Sequence, residues 1–472
     1  MTHAQPPRRV RPGRLLARFI GHRDGSVALM FALSLLPIMA CVGMGVDLAV
    51  AYAAKTRMSY ALDAAALAVG SSNGTAAQMQ QVAQKFFNAN FPAGTLTASP
   101  TVTVTVNGNT ITASASGSVA TSFMSVAGVN SIAISANSVV MRQISGLELA
   151  MVLDNTGSMV TNNNIQAVRD SAQLLTDILF GGIAVHPYLK IALVPYSAAV
   201  NPGSVAPSLI TTNDAYDPTN PLGWKGCVIE RAGADGIGDT TPATWMRYNW
   251  LPAVDNNYSL TNAATVLTGQ SYGNSATGPN LGCPTPITPL TNVYADLVPA
   301  IAAMQAWSRG GTLGDIGMAW GLRVLSPDWP FSQGLPYGTA NWTKAVILMT
   351  DGDNQFYKLT GTSGGNTVNN AVNSDYTGYG RLDELGRMGT TNVATAKTTI
   401  DNRLSSVCAA MKAKGITIYT ITFTSGINSA TKAIYSNCAS DPSKYFDSPT
   451  QTDLKSSFQA IATELSKLRV AQ

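Results

Sequence analysis

Hydrophobic and polar residues follow several different rhythms along this 472-residue chain. The longest apolar run extends from Ser26 to Val46, has no charged residue, and is followed by Asp47. As a helix, such a run is long enough to cross a bilayer core of about 30 Å. It therefore predicts one transmembrane helix over 26–46. A cleaved signal peptide is the alternative, but the run is longer than a typical signal h-region and no clear small-residue cleavage site follows it.

The next segment, 47–143, predicts a helical stem and a small α+β module. Residues 47–70 are rich in alanine and favour a helix that continues out of the membrane, and 76–90 predicts a second helix. The stretch PTVTVTVNGNTITASAS then alternates strictly, which predicts paired strands with a hairpin turn at Asn107-Gly108. SIAISANSVVMRQ, residues 131–143, is a further candidate strand.

From Leu147 onward, apolar strands alternate with helical patterns. The predicted strands are 147–153, 189–197, 345–353 and 416–423, and the predicted helices are 163–179, 313–325, 393–414 and about 451–468. This order indicates an α/β domain over 147–470, with a mainly parallel sheet covered on both faces. Gly-, Asn- and Pro-rich stretches predict insertions at about 200–290 and 355–390.

The charge distribution indicates topology rather than nucleic-acid binding. The formal net charge is +4, but the first 25 residues hold six Arg and one Asp, so the remainder has 24 Lys and Arg against 25 Asp and Glu. The basic tail, 1–25, is predicted to stay in the cytoplasm and everything after Asp47 to lie outside it. A nucleic-acid partner is not expected.

Histidine and cysteine restrict the chemistry further. Of three histidines, only His186 lies outside the tail and membrane run, where it is expected to be an ordinary surface residue. This scarcity argues against a His-dependent triad or a His-rich zinc site. The four cysteines after the apolar run suggest disulfides in an exported domain. Three pairings are possible, as are four free thiols; we favour Cys227–Cys283 and Cys408–Cys438, because each pair falls within one segment.

Five oxygen-bearing side chains follow the predicted strands or begin a predicted helix. They are Asp154, Thr156 and Ser158 in LDNTGS, Thr312 in RGGTLGDIG, and Asp351 in LMTDGD. Ligands in open α/β sheets bind at the carboxyl ends of the strands, so these side chains are expected to converge. Two carboxylates and three hydroxyls form an all-oxygen set that suits Mg²⁺ or Mn²⁺. The alternative is that the same residues only form turns and helix caps.

These motifs, in this order, resemble the metal-ion-dependent adhesion site of a von Willebrand factor A domain. The resemblance implies that Thr156, Ser158 and Thr312 bind the metal directly and that Asp154 and Asp351 bind it directly or through water. It departs from the family at Thr156, where Ser is commoner, but Thr keeps the hydroxyl.

A second resemblance concerns the N-terminal part. DGSVALMFALSLLPIMACVGMGVDLAVAY and the following LDAAALA are similar to the anchor of the TadE/TadG-like proteins of tight-adherence (Flp) pilus systems. GWKGCVIER, GMAWGLRVLSP and the spaced Cys408 and Cys438 resemble longer members that carry a von Willebrand A domain. Type IV prepilins have Glu five residues after the cleavage-site glycine, whereas this chain has Met30 after Gly25, so processing by a prepilin peptidase is not required.

These resemblances imply a single-pass inner-membrane protein with a periplasmic C-terminal domain, without enzymatic activity. It would act in Flp pilus assembly or secretion. Its bound metal would bind an acidic residue of a protein partner. An adhesin that uses the same site is the alternative. A metal-assisted hydrolase with Asp353 or Asp154 as base, and a spacer with a silent site, are further alternatives.

Overall fold

The computed structural model describes eleven stretches of the chain. They are 26–72, 75–107, 110–141, 145–210, 215–239, 244–267, 276–328, 330–357, 362–363, 366–367 and 374–468. The chain divides between residues 142 and 143 into two compact units.

The N-terminal unit contains two helices and a three-stranded antiparallel sheet. Its elements are α1 (Ser26–Gly70), α2 (Ala76–Asn90), β1 (Thr103–Asn107), β2 (Thr110–Ala120) and β3 (Ser131–Met141), with the sheet order β1-β2-β3. The membrane run and the predicted stem thus form one continuous helix of 45 residues. Gly108, half of the predicted hairpin turn, lies outside the described residues.

One stripe of α1 forms the core of this unit. Its alanines and Met58 pack with Phe87 of α2 and with Val102, just before β1. Residues 27–42, by contrast, are all exposed. Among the described helices, α1 is the one that is long and apolar enough to cross a membrane. The same helix therefore has an apolar surface left for lipid and a small-residue stripe that packs on the module.

The C-terminal unit begins with the predicted α/β pattern. Its elements are β4 (Gly146–Asp154), α3 (Asn164–Phe180), β5 (Leu189–Tyr196), α4 (Ala206–Leu209), β6 (Val228–Ile229), β7 (Met246–Arg247), β8 (Thr288–Thr291), α5 (Tyr294–Ala303), β9 (Gly311–Thr312), α6 (Gly314–Leu325), β10 (Trp342–Thr350), β11 (Gln355–Phe356), β12 (Thr362–Ser363), β13 (Asn366–Thr367), α7 (Val393–Ala413), β14 (Thr417–Phe423), α8 (Ser429–Cys438), β15 (Tyr445–Ser448) and α9 (Gln451–Leu468). The main sheet has the order β15-β14-β10-β4-β5-β8. All its pairs are parallel except β5 with β8.

Both faces of this sheet are covered, as its strand pattern predicts. All nine residues of β4 are buried. Alternate residues of the strand face opposite sides: Val152 packs in a cluster with residues of α6 and α7, and Met151 in a cluster with residues of α3 and α9. This arrangement confirms the predicted fold class of a doubly wound, mainly parallel sheet that follows one long apolar helix and a small α+β module.

The longer elements of this unit that the sequence prediction missed are the antiparallel edge strand β8, the last strand β15, and the helices α5 and α8. The short helix α4 and the two-residue strands were not predicted either. The expectation for His186 was also wrong. Its side chain is 6 % exposed, packs edge-on against Phe180, and accepts a hydrogen bond at Nδ1 from the Tyr188 N–H. The ring is buried because the turn after α3 folds it back onto the helix end.

Two disulfides cross-link the C-terminal unit, with the favoured pairing. Cys227 is bonded to Cys283 within the first insertion, and Cys408 of α7 is bonded to Cys438 of α8. The tryptophans of the first insertion, Trp224, Trp245 and Trp250, are buried, so they pack beneath the insertion rather than forming an exposed aromatic surface.

Candidate metal centre

The ends of two neighbouring strands bring the predicted carboxylates together. β4 and β10 are parallel, and Leu153 lies opposite Met349 in their register. Asp154 ends β4, and Asp351 comes directly after β10, so both lie at the same edge of the sheet. Asp154 is 0 % exposed and Asp351 is 8 % exposed.

Four of the five predicted side chains form one continuous hydrogen-bonded row. The Thr156 hydroxyl donates to Asp154 Oδ1 at 2.6 Å, and the Thr156 N–H donates to the same oxygen at 2.8 Å. Thr156 Oγ1 lies 3.0 Å from Ser158 Oγ, which lies 2.6 Å from Asp351 Oδ1. Because Ser158 is exposed, one part of this row of oxygens faces solvent.

Two hydroxyls that the sequence reasoning missed hold the buried end of the row. Thr350 Oγ1 donates to Asp154 Oδ2 at 2.9 Å, and the Tyr196 hydroxyl lies 3.3 Å from the same oxygen. Both residues end strands adjacent to β4, which is the signal that could have identified them. The same two hydroxyls also contact the carbonyls of Gly352 and Met349. Both oxygens of Asp154 thus have hydroxyl neighbours, so the carboxylate has a defined orientation.

The row of oxygens holds more negative charge than it can stabilise alone. Burial raises the pKa of the Asp154 carboxyl, although hydrogen bonds from Thr156 and Thr350 lower it. Burial first, and then the charge of Asp154, raise the pKa of Asp351 to about 8. Near neutral pH, without a cation, Asp351 therefore favours its protonated form.

The contacts along the row bring oxygen atoms close together. Three contacts join Asp154, Thr156, Ser158 and Asp351, and the Ser158 hydroxyl donates to Asp351 Oδ1. A divalent cation beside these oxygens would replace a proton on Asp351 and neutralise both carboxylates, so the donor set fits Mg²⁺ or Mn²⁺.

Thr312 lies in β9, 5 % exposed, and its hydroxyl is not part of this row. β9 pairs with β11, where Gln355 lies opposite Thr312. The segment before β9 packs on the first motif, because the Trp307 N–H donates to the Asn155 carbonyl at 2.7 Å. A Cβ on Gly157 would lie 3.1 Å from Ser308 Cα, so this close approach favours glycine in the motif.

Arg309, which the sequence reasoning missed, connects that segment to both insertions. Its Nε donates to Asp375 Oδ2 at 2.7 Å, and its Nη2 donates to Asp255 Oδ2 at 3.2 Å. Arg381 donates to the other oxygen of Asp255 at 2.7 Å, and both guanidinium groups lie over the Trp250 ring. Arg309 has φ of +74°, which the adjoining Gly-Gly turn accommodates. Its position as the first residue of RGGT was the available signal, but its partners lie in the insertions.

The other candidate base, Asp353, belongs to a different part of the structure. Its two carboxylate oxygens accept hydrogen bonds from Asn428 and Thr431 at the start of α8. Within the described ranges, no three His, Cys, Asp or Glu side chains come together in a way that could hold a metal ion. A metal site here therefore depends on the hydroxyl groups of Thr156, Ser158 and Thr312.

The N-terminal part of the chain matches a known family. Residues 25–80 match the model of the Flp pilus-assembly TadE/G-like family, which confirms the resemblance for this segment. No curated protein sequence matches the chain.

Solved structures similar to this chain include von Willebrand A-type domains. The von Willebrand factor domain of the type V pili tip protein Mfa5 from Porphyromonas gingivalis has a TM-score of 0.38 and 13 % identity, covering 68 % of this chain and 95 % of that one. The pilus adhesin SpaC from Lactobacillus rhamnosus GG has a TM-score of 0.35 and 13 % identity, and the match covers 78 % of this chain and 34 % of that one. Proximal thread matrix protein 1 from the mussel byssus, with a zinc-occupied MIDAS motif, has a TM-score of 0.32 and 12 % identity. This match covers 69 % of this chain and 47 % of that one. At these TM-scores the likenesses carry no argument about metal or partner.

Proposed function

We propose that this chain is a membrane-anchored protein of Flp pilus assembly that binds a protein partner through a divalent cation. The cation, Mg²⁺ or Mn²⁺, would be held by Asp154, Thr156, Ser158, Thr312 and Asp351. The observation that carries the proposal is the row of four oxygen-bearing side chains that joins two buried carboxylates.

The chemistry of this donor set favours binding over catalysis. The hydroxyls leave a bound cation electrophilic, and the exposed Ser158 lies on its solvent side. A carboxylate from a partner could complete the coordination there, which is why we propose an acidic residue as the contact. Asp353, the candidate base of a hydrolase, is instead hydrogen-bonded at the start of α8.

The proposed topology follows from the charge distribution and the N-terminal helix. The basic tail, 1–25, would lie in the cytoplasm, and 26–46 would span the inner membrane. The stem and module, 47–143, and the von Willebrand A domain, 147–470, would lie in the periplasm. The family match of residues 25–80 and the exposed apolar surface of 27–42 support this topology.

Calorimetric titration of Mg²⁺ into the full chain in detergent tests the metal site. We expect saturable binding that is lost in Ser158→Ala and Asp351→Asn. Asp353→Asn is the matched control, because it removes a carboxylate two residues away that is not in the row. Binding that is absent in the wild type, or unchanged in Asp351→Asn, would contradict the proposed site.

Complementation of a deletion strain tests the cellular role. Pilus assembly should be restored by the wild type and by Asp353→Asn but not by Asp351→Asn. Fractionation of the same strains distinguishes the adhesin alternative: protein in the outer membrane or shed into the medium would favour it over an assembly factor in the inner membrane.

A further inference from the structure

The loop between β2 and β3, residues 121–130, lies beside the part of α1 that leaves the proposed membrane span. Asp47 accepts hydrogen bonds from the backbone N–H groups of Ser122, Phe123 and Met124, at 3.0, 2.9 and 2.7 Å. One turn earlier on the same face of α1, Gly43 lies against Phe123, and a Cβ on Gly43 would come within 2.6 Å of that side chain. The loop is therefore fixed to α1 at the level of residues 43–47.

The β2–β3 hairpin runs along α1 from this level to its outer end. At the other end of the hairpin, Ile111 and Val140 approach Gly70, the last residue of α1. The buried stripe of α1 begins at Gly43 and continues through Asp47 and Ala51 toward Gly70. The loop 121–130 is thus the end of the module nearest to the membrane run.

The length of the exposed helix places this loop within the edge of the bilayer. Residues 27–42 are all exposed, yet at 1.5 Å per residue these 16 residues cover only about 24 Å of a core about 30 Å thick. Charged residues precede Ser26 in the sequence, so the remaining length has to come from the residues after 42. The apolar core would then reach about residue 46, which is the level of Phe123.

The loop has the composition that such a position requires. TSFMSVAGVN contains no charged residue. Phe123 is 50 % exposed, Val126 is 92 % exposed, and Val129 is 42 % exposed. The exposure of apolar side chains to water is unfavourable, but the same side chains are stabilised at the boundary between lipid headgroups and acyl chains. The carboxylate of Asp47, at the same level, has its hydrogen bonds supplied by the loop backbone.

We propose that the loop 121–130 inserts Phe123, Val126 and Val129 into the outer boundary of the bilayer. This second contact sets the depth of the module and its tilt relative to the membrane. The inference rests on the membrane span of the proposed function, and its partner is the lipid surface rather than a protein.

Fluorescence quenching of the full chain in phospholipid vesicles tests this inference. In a Cys41→Ala background, an NBD fluorophore is attached at Val126→Cys. The matched control is Asn107→Cys, an exposed position at the end of β1 that pairs with Thr110 at the far end of β2, about 34 Å away along that strand. Leu36→Cys reports on the span itself. Positions 126 and 107 lie on the same side of the membrane, so vesicle orientation affects them equally.

We expect the fluorophore at 126 to be quenched by lipids brominated near the headgroups. Its quenching by aqueous iodide should be weaker than that of the fluorophore at 107 by a factor of about five or more. Equal iodide quenching at 126 and 107, with lipid quenching at 36, would overturn the inference and leave the span intact. Iodide quenching at 36 would overturn both the span and the inference.

Discussion

Metal affinity should rise steeply with pH, because a cation has to displace the proton that Asp154 and Asp351 share. With the pKa of Asp351 raised to about 8, the ionised fraction of its carboxyl is about 1 % at pH 6 and about 90 % at pH 9. Metal binds only the ionised form, so the apparent affinity should rise by roughly two orders of magnitude over this range, or about 3 kcal/mol.

Calorimetry of Mg²⁺ binding at pH 6, 7, 8 and 9 measures this change directly. Titrations in two buffers with different ionisation enthalpies count the protons released, and near pH 7 we expect about one per metal bound. Asp351→Asn should lose most of the affinity and the pH dependence together. Asp353→Asn, which keeps the row of oxygens complete, should retain both.

The same linkage predicts how folding stability depends on pH. The folded-state pKa of Asp351 is raised, so its protonated form contributes stability that is complete below the unfolded pKa of about 4 and is lost as the pH rises through about 8. In chelator, the melting temperature of the C-terminal unit should fall over this interval. Saturating Mg²⁺ should reduce the fall, because it replaces the proton.

Two results would refute this reasoning. One is a metal affinity that stays constant between pH 6 and pH 9. The other is saturable binding without proton release near neutral pH, because either result would mean that the two carboxylates are already ionised together.

Three further substitutions test separate parts of the C-terminal unit. Gly157→Ala places a Cβ 3.1 Å from Ser308 Cα; it should cost about 1 kcal/mol in chemical unfolding and weaken Mg²⁺ binding, and unchanged binding would contradict the close packing. Arg309→Gln removes the ion-pair partner of buried Asp375 and one of the two partners of Asp255, which keeps Arg381; thermal unfolding should show a loss of about 3–5 kcal/mol, and a loss below about 1 kcal/mol would show that the buried pairs contribute little. Replacing Cys408 and Cys438 with Ser opens a link with a sequence separation of 30 residues; urea unfolding should show a loss of about 3.6 kcal/mol, and equal midpoints would contradict the estimate.

The predictable part of the site followed from the geometry of parallel strands. Asp154 and Asp351 are almost 200 residues apart in the chain, but each comes at the carboxyl end of an apolar strand, and parallel strands bring these ends to one edge. The apolar pattern alone therefore predicted their proximity. Thr312 was predicted with them, but its hydroxyl lies outside the hydrogen-bonded row.

The unpredicted part depended on partners in the insertions. Arg309 pairs with Asp255 and Asp375, which are 54 and 66 residues away on either side. No periodicity relates these positions, because the described residues of the insertions form only short helices and strands. The contact of Asp47 with the N–H groups of Ser122 to Met124 is similar, since a residue that looked like the end of a span also holds a loop 75 residues later.

The sequence by itself determined the long apolar helix, the strands and helices of the α/β sheet, the cysteine pairing that position favoured, and the side chains that end the central strands. These follow from backbone geometry, which imposes a local period on the residues that must be buried. Only the tertiary structure decided the burial of His186, the pairing of Arg309, the raised pKa of Asp351 beside Asp154, and the level of the loop 121–130 along α1. Each of these depends on charges and hydrogen bonds between residues that become neighbours only when the chain folds.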